Sequence, residues 1–204
     1  MNDRLRVALT LDAEHPDRPW CPPGNAEHIL DVLAARDVRA SVFVQGRWAE
    51  AYPQTARRIA DEGHLVGHHS HYHARMPLLL GGGLSSDVLD GARAIEEHTG
   101  VDPRPWFRCP FGAGADDPRV LDQLGDLGYR NVHWHVEVQD WEPWRTGPVI
   151  ATEATAGVHA HGDGAIVLLH TWPGGTGEGL EPMIDGLQAA GATFVTIDQL
   201  EELP

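Results

Sequence analysis

Two kinds of segment follow one another along the chain: short continuous apolar runs and longer amphipathic stretches. The apolar runs predict strands over 6–11, 40–44, 64–67, 106–108, 131–136, 165–170 and 193–197. The amphipathic stretches predict helices over 26–35, 53–62, 85–98, 118–127, 148–159 and 181–190. Proline near the first turn, as in Asp117-Pro118, marks helix starts. Glycines stand where helices should end, at Gly63, Gly100, Gly128 and Gly191.

Strands and helices alternate almost throughout, and continuously apolar strands are typical of a parallel sheet that is covered by helices. No repeat, long linker or low-complexity tract interrupts the pattern. The sequence therefore predicts an α/β fold in a single domain over residues 1–204. A chain of 204 residues fits an α/β barrel at the short end of its size range.

Charge narrows the range of partners. The chain has 30 Asp and Glu residues against 15 Lys and Arg, a net charge of -15, so we expect binding neither to nucleic acid nor to a membrane surface. An extended polyanionic substrate would need a locally basic site.

The first residues show no signal-peptide core and no run reaches membrane-spanning length, which predicts a cytoplasmic protein. Two cysteines, Cys21 and Cys109, are too few for a disulfide framework. The oligomeric state is not specified by the sequence.

The most informative chemistry lies in the histidine-rich run from His68 to His73. Two imidazoles four residues apart, together with a carboxylate from elsewhere, can bind a divalent metal and leave a position open for water. Asp12 and Glu14, after the first predicted strand, offer carboxylates. Two histidine pairs have this spacing, His64/His68 and His69/His73, so spacing alone leaves the pair open.

Residue types that can take part in catalysis, metal binding or substrate contact recur at the ends of predicted strands or directly after them. In a (β/α) barrel, the active site is built at the carboxyl ends of the strands, so these side chains are expected to converge. They are Asp12 and Glu14 after the first strand, His69 and His73 after the third, Arg108 at the end of the fourth, Asp140 and Trp141 after the fifth and His170 at the end of the sixth.

Together these segments resemble the NodB-homology polysaccharide deacetylases, also called carbohydrate esterase family 4. Five family motifs occur in the family's order, in the segments 10–14, 69–73, 108–112, 137–141 and 168–170. The resemblance implies the NodB-type fold, a distorted and incomplete (β/α) barrel of about seven parallel strands. It also favours His69/His73 as the metal-binding pair.

One departure concerns the first motif. The family usually has two adjacent aspartates, a general base and a metal ligand, but here Ala13 follows Asp12 and Glu14 comes one residue later. The resemblance implies that Glu14 replaces the second aspartate as ligand. In the alternative, Glu14 only supports the loop and the metal is held weakly or through Asp12. Two imidazoles and one carboxylate suit zinc best, with cobalt, nickel or manganese as alternatives.

The resemblance also implies a mechanism, the metal-assisted hydrolysis of an N-acetyl group. Asp12 is expected to take the proton from water, and Arg108 to hold Asp12 by an ion pair. The backbone N–H of Phe111 would stabilise the oxyanion, a role that the phenylalanine in place of the common tyrosine leaves intact. His170, oriented by Asp140, would protonate the leaving amine. Trp141 and Leu168 would form the wall of the acyl pocket.

The resemblance implies an N-acylated sugar as the substrate, because the family acts on polysaccharides. Three tryptophans in predicted loops, Trp20, Trp144 and Trp172, are candidates for sugar stacking. A small amide or imide, as in the allantoinase-like relatives, is the alternative. Two further hypotheses are weaker: a dinucleotide-binding turn at Gly174–Gly179, whose glycines miss the G-x-G-x-x-G spacing, and a binding module with a degenerate site, against which the intact Asp12, Arg108 and His170 argue.

Overall fold

The computed structural model describes residues 5–14 and 21–201. In chain order these residues form β1 (Leu5–Ala13), α1 (Asn25–Ala35), β2 (Ser41–Val44), α2 (Gly46–Ala51), α3 (Pro53–Asp61), β3 (Leu65–His68), α4 (Gly83–Thr99), β4 (Trp106–Phe107), α5 (Pro118–Asp126), β5 (Arg130–Asn131), β6 (Val136–Glu137), α6 (Gly147–His161), β7 (Ala165–His170), α7 (Gly174–Ala189), β8 (Ala192–Val195) and α8 (Ile197–Glu201). Short 3₁₀ turns lie at Met76–Leu78 and Pro110–Gly112.

The chain folds as two compact units that are interleaved along the sequence. Of the described residues, the first unit comprises 5–11, 21–41 and 134–201, and the second comprises 12–14 and 42–133. Strand β1 therefore belongs to the first unit up to Leu11, and its last two residues belong to the second. The single domain expected over 1–204 stays a prediction.

In the first unit the strands lie in the order β8-β1-β7-β6. Strand β1 pairs in parallel with β8, Leu5 opposite Ala192, and β6 pairs in parallel with β7, Val136 opposite Val167. Strand β7 is buried at five of its six positions, which explains its continuous apolar sequence. It ends at His170, so the unit presents this histidine at a strand's carboxyl end.

In the second unit the strands lie in the order β5-β4-β3-β2. Strand β4 pairs in parallel with β3, His68 opposite Phe107, and with β5, Trp106 opposite Arg130. The unit's apolar core includes residues from the 3₁₀ turn after β3, from α4, from β4 and the segment after it, from α5 and from the position before β5: Met76, Leu84, Val88, Phe107, Cys109, Val120, Leu124 and Tyr129. The residues that follow β3 and β4 are thus anchored on a packed core.

Most predicted elements match the observed ones to within two residues. The strand predicted over 131–136 is an exception, because two short strands, β5 and β6, occupy its ends. The helices α2 and α8 have five or six residues and were not predicted. A helix this short spans less than two turns, too few for an amphipathic period to show.

The glycine-rich segment after β7 is helical, although the sequence predicted that the helix would begin only at residue 181. Its glycines permit close packing. A Cβ atom at Gly175 would lie 2.4 Å from the Arg145 carbonyl oxygen, and one at Gly177 would lie 2.4 Å from the Asn25 Oδ1. These glycines form the first turns of α7 and pack closely against neighbouring segments, and they lack the G-x-G-x-x-G spacing, so the structure adds no support for a dinucleotide-binding turn.

Candidate active site

The second unit brings together Glu14, His69 and His73, a candidate metal-binding group that is called the metal set. One potential ligand atom from each residue lies within 4.8 Å of the other two. The Glu14 Oε2 is 2.5 Å from the His73 Nε2 and 3.7 Å from the His69 Nε2. Glu14 follows the end of β1 and His69 follows the end of β3, so two strand ends supply two of the three side chains.

The chemistry of this set fits a divalent metal. The His69 Nδ1 lies 2.9 Å from the Arg108 carbonyl oxygen, to which it donates, and this bond leaves the lone pair on Nε2. Such a hydrogen bond from the second ring nitrogen is typical of metal-binding histidines, because it fixes the tautomer and the ring orientation. Two imidazole nitrogens and one carboxylate are the ligands of many catalytic zinc sites.

The loop between His69 and His73 has an unusual backbone. Ser70 and His73 have positive φ values of 60° and 57°, which side-chain-bearing residues rarely adopt. Asp87, a buried residue of α4, accepts the backbone N–H groups of His71 and Tyr72 at 3.0 and 3.1 Å. The Ser70 Oγ accepts the His73 N–H at 2.8 Å. Asp87 was not predicted from the sequence, because an aspartate within a predicted helix carries no signal of a contact with a distant loop.

The alternative pair, His64/His68, does not form the metal set. His68 is fully buried, and burial lowers its pKa to about 3, so its imidazole is neutral. Its Nε2 donates to the Val88 carbonyl oxygen at 2.9 Å, and its Nδ1 accepts the Ser70 N–H at 2.9 Å. Because both ring nitrogens of His68 are engaged in these bonds, neither is available to a metal, and His68 stabilises the loop.

Asp12 and Arg108 form a buried ion pair beside the metal set. The Arg108 Nη1 donates to the Asp12 Oδ1 at 2.9 Å, and the other carboxylate oxygen lies 3.5 Å from the His69 Nε2. Arg108 is 0% exposed, and its guanidinium also packs 4.1 Å from the centre of the Phe43 ring. Burial lowers the pKa of Arg108, whereas Asp12 opposes that shift. An arginine buried in this way orients Asp12 and has no surface with which to clamp a substrate.

The segment after β4 carries Phe111 in the left-handed conformation, with φ 59°. Such a conformation costs about 1–3 kcal/mol and persists only where the surroundings impose it. Here Gly112 donates its N–H to the Cys109 carbonyl oxygen at 2.9 Å, and Cys109 donates to the Asn131 Oδ1 at 3.0 Å. The Phe111 ring lies 4.4 Å from the His73 ring, which places this loop beside a potential metal ligand.

In the first unit, the structure brings His170 and Asp140 together. The His170 Nδ1 lies 2.8 Å from the Asp140 Oδ1, and the Asp140 Oδ2 accepts the backbone N–H of His170 at 2.8 Å. The Thr176 hydroxyl donates to the same Oδ2 at 2.6 Å. Asp140 is buried and holds His170 with its proton on Nδ1. Thr176 was not predicted from the sequence, because it lies in the glycine-rich run that was not predicted to be helical.

The remaining candidates differ in exposure. The Trp141 ring packs edge-on against His170, with 5.4 Å between the ring centres, and Leu168 is buried in β7. Trp144 is 72% exposed, whereas Trp172 is only 3% exposed, its ring 6.0 Å from that of His170. Trp20 lies outside the described residues. Their roles in the pocket or in sugar binding stay predictions.

Comparison with known proteins decides the family. The family model described as polysaccharide deacetylase matches residues 2–132. This chain belongs to the polysaccharide deacetylase family. A peptidoglycan-N-acetylglucosamine deacetylase of Bacillus cereus is 29% identical over 203 residues, which cover 97% of this chain and 69% of that protein. The predicted NodB homology, or carbohydrate esterase family 4, is thereby confirmed.

Solved structures confirm the predicted fold class, the NodB-type distorted and incomplete (β/α) barrel. A structure described as a T48 deacetylase with substrate has a TM-score of 0.82 and 30% identity, and the match covers 97% of this chain and 90% of that one. A structure described as a family 4 pseudoenzyme from Bacillus anthracis has a TM-score of 0.85 and 26% identity, covering 98% of this chain and 66% of that one. Membership in this deacetylase family therefore does not by itself establish catalysis. None of the described helices is long and apolar enough to cross a membrane.

The two thiols of this chain are both free, and we expect them to differ in reactivity. Cys109 is 1% exposed, and burial raises its pKa to about 12, so almost no thiolate forms near neutral pH. Cys21 is partly exposed, and burial raises its pKa. Iodoacetamide at pH 8 should label Cys21 in the native protein and Cys109 only after unfolding in guanidinium. Peptide mass spectrometry distinguishes the two sites, with Cys21→Ser as control, and equal labelling of both in the native protein would contradict the expectation.

Proposed function

We propose that this protein is a metal-dependent hydrolase that removes N-acetyl groups from N-acetylated oligo- or polysaccharides. The observation that carries the proposal is the set of Glu14, His69 and His73 beside the buried pair of Asp12 and Arg108. A ligand set of this kind next to an acidic side chain is the arrangement that hydrolysis by activated water needs. Because a pseudoenzyme shares the fold, the proposal depends on these side chains more than on the fold.

Glu14, His69 and His73 would hold the metal, with zinc as the proposed ion and cobalt, nickel or manganese as alternatives. When bound, the ion would lower the pKa of a water molecule and polarise the acyl oxygen. Glu14 is proposed as the ligand in place of the family's second aspartate. Its Oε2 lies close to both histidine nitrogens, which supports this assignment over a role in the loop alone.

Asp12 is proposed as the general base that takes the proton from the attacking water. The Asp12 Oδ2 lies 3.5 Å from the His69 Nε2, so the carboxylate stands next to the metal set. Arg108 is proposed as a positioning residue, because its bond to the Oδ1 fixes the carboxylate and its full burial separates it from solvent.

The Phe111 N–H is proposed as a donor to the acyl oxygen as negative charge develops on it. The left-handed backbone at Phe111 supports this role, because strained backbone is often retained where it directs a functional group. The His73 side chain against the Phe111 ring ties this loop to the metal set.

His170 is proposed as the general acid for the leaving amine, with Asp140 and Thr176 as positioning residues. The ring bond from the His170 Nδ1–H to Asp140 fixes the tautomer, so that the Nε2 is the atom that can exchange a proton with a substrate, and the backbone bond holds the two residues together. The motif order shared with the family supports assigning His170 and Asp12 to one reaction.

The experiment that tests this proposal is a measurement of acetate release from a panel of substrates. The panel contains N-acetylglucosamine oligomers, peptidoglycan glycan strands, and small amides and imides such as allantoin. Each is tested with zinc, cobalt, nickel, manganese or a chelator. We expect turnover of the N-acetylated glycans with at least one metal and none with the chelator. Turnover confined to the small amides would replace the sugar by the alternative substrate class, and metal-independent turnover would contradict the mechanism.

The leaving group gives a separate test of His170. We expect His170→Ala to lower kcat on an N-acetyl sugar by about 10²- to 10⁴-fold, the usual contribution of an acid or base. The same variant should lose far less on 4-methylumbelliferyl acetate, whose phenolate leaves without protonation. Thr176→Val is the matched control for a positioning role and should cause a smaller loss with the same substrate dependence. An equal loss of kcat on both substrates would exclude His170 as the acid.

A further inference from the structure

Most arginines in the described part of the chain lie close to a carboxylate. Every one of its 15 basic residues is an arginine, against 30 acidic residues. Eleven of the arginines in the described ranges have a carboxylate within 4.0 Å. Arg75 is exposed and has no such partner among residues 5–14 and 21–201. In a chain with twice as many acids as bases, an exposed arginine without a carboxylate stands out.

Arg75 also has a defined position near the metal set. It follows His73 by two residues, and its guanidinium carbon lies 4.3 Å from the centre of the Phe111 ring. The Phe111 ring, which is 54% exposed, in turn lies 4.4 Å from the His73 ring. The backbone beside Arg75 is anchored by the fully buried Met76 and by the bond from the Leu78 N–H to the Arg75 carbonyl oxygen. The charge is therefore held on an aromatic surface beside a proposed ligand.

A guanidinium on an aromatic ring can still donate from its edge. Contact with the ring holds the planar group in place, and its N–H groups can bind a carboxylate through two parallel hydrogen bonds. We propose that Arg75 binds a carboxylate of the substrate, so that the preferred substrate is an N-acylated sugar that carries a carboxylate close to the acyl group. This inference rests on the proposed function and names its substrate class.

The net charge of the protein limits what Arg75 can bind. A net charge of -15 disfavours an extended polyanion over most of the surface, whereas one carboxylate needs only one local cation. The charge distribution therefore favours a sugar with an isolated carboxylate over a heavily charged polymer. Because Arg75 is exposed, its contribution should weaken as salt rises.

The experiment uses two matched glycans. One is a tetrasaccharide of alternating N-acetylglucosamine and N-acetylmuramic acid, and the other is the same tetrasaccharide with its carboxyl groups as methyl esters. Binding to the zinc-loaded protein is measured by calorimetry at low salt, and acetate release is measured in parallel. We expect the acid to bind about 10-fold or more tightly than the ester, as for a hydrogen bond to a charged group. In Arg75→Gln the acid should bind like the ester, with the metal content unchanged.

Arg93→Gln is the matched control, because Arg93 is an arginine of α4 whose side chain is 74% exposed. It should leave the preference for the acid intact. Equal binding of acid and ester by the unaltered protein, binding of neither glycan, or a preference that persists in Arg75→Gln would each overturn the inference. If the acid binds better through Arg75 but no acetate is released, the proposed reaction fails while the binding role of Arg75 stands.

Discussion

Asp12→Asn should abolish most turnover while the metal stays bound. We expect kcat to fall by about 10²- to 10⁴-fold, because an asparagine side chain cannot accept a proton from water. The amide oxygen can still accept the hydrogen bond from the Arg108 Nη1, which the carboxylate accepts at 2.9 Å in the unaltered protein. The measurement combines kcat on an N-acetylated glycan with elemental analysis of the metal.

The stability of this variant needs its own measurement. Arg108 is 0% exposed, so the loss of the Asp12 charge leaves a buried guanidinium without a counter-charge. Removing one partner of a buried ion pair costs about 3–5 kcal/mol of folding free energy. Thermal unfolding should therefore show a lowered Tm, and kcat should be compared at a temperature where both proteins are folded.

A double variant separates catalysis from stability. In Asp12→Asn with Arg108→Gln, neither partner is charged, so we expect the Tm to rise relative to the single variant while kcat stays low. Recovery of kcat together with Tm would show that Asp12 acts only through folding. Near-normal kcat in the folded single variant would exclude the general-base role, and loss of the metal in it would make Asp12 a ligand instead.

The elements that the sequence predicted well are those whose burial produces a simple local pattern of apolar residues. Strand β7 was predicted with its observed bounds, because five of its six residues are buried and the run is continuously apolar. The five motif segments were recognised because they occur in the family's order along the chain. The alternation of strands and helices predicted the α/β fold, and the family resemblance then predicted the NodB-type barrel. Residue type and spacing left two histidine pairs open, and the family resemblance selected the Glu14, His69 and His73 set that the structure brings together.

What the sequence did not predict depends on contacts between distant segments. Asp87 holds the loop between the two histidines by two backbone hydrogen bonds, and Thr176 donates to Asp140 across 36 positions. Neither residue has a local pattern that distinguishes it from an ordinary polar side chain. The helical start of α7 was missed for a related reason, since glycines disfavour a helix unless close packing requires them, as at Gly175.

The pseudoenzyme among the solved structures shows why the side chains matter more than the fold. A TM-score of 0.85 is reached with a protein described as lacking the enzyme's function, so similarity of backbone cannot distinguish active from inactive members. The buried pair of Asp12 and Arg108 argues for activity in this chain. Burial of an ion pair carries a desolvation cost that apolar residues of similar volume avoid, which favours a functional reason for its presence.

The largest effect on metal binding is expected from His69→Ala and His73→Ala. Each variant removes one of the two proposed imidazole ligands, whose nitrogen atoms lie within 4.8 Å of each other and of a Glu14 carboxylate oxygen. We expect elemental analysis to show less than stoichiometric metal in both, and kcat to fall by about 10³-fold or more, since a metal contributes several kcal/mol to the transition state. His64→Gln, from the other pair with the same spacing, is the control and should retain metal. Stoichiometric metal in both alanine variants would exclude this site.

Glu14→Ala decides which carboxylate completes the set. The Glu14 Oε2 lies 3.7 Å from the His69 Nε2, and the Asp12 Oδ2 lies 3.5 Å from the same nitrogen, so distance to His69 alone does not separate them. The distance to His73 does, because Glu14 lies 2.5 Å from its Nε2, whereas Asp12 is engaged by Arg108. We therefore expect Glu14→Ala to lose metal and Asp12→Asn to keep it. The reverse result would assign the ligand role to Asp12, and would leave Glu14 as a support for the loop.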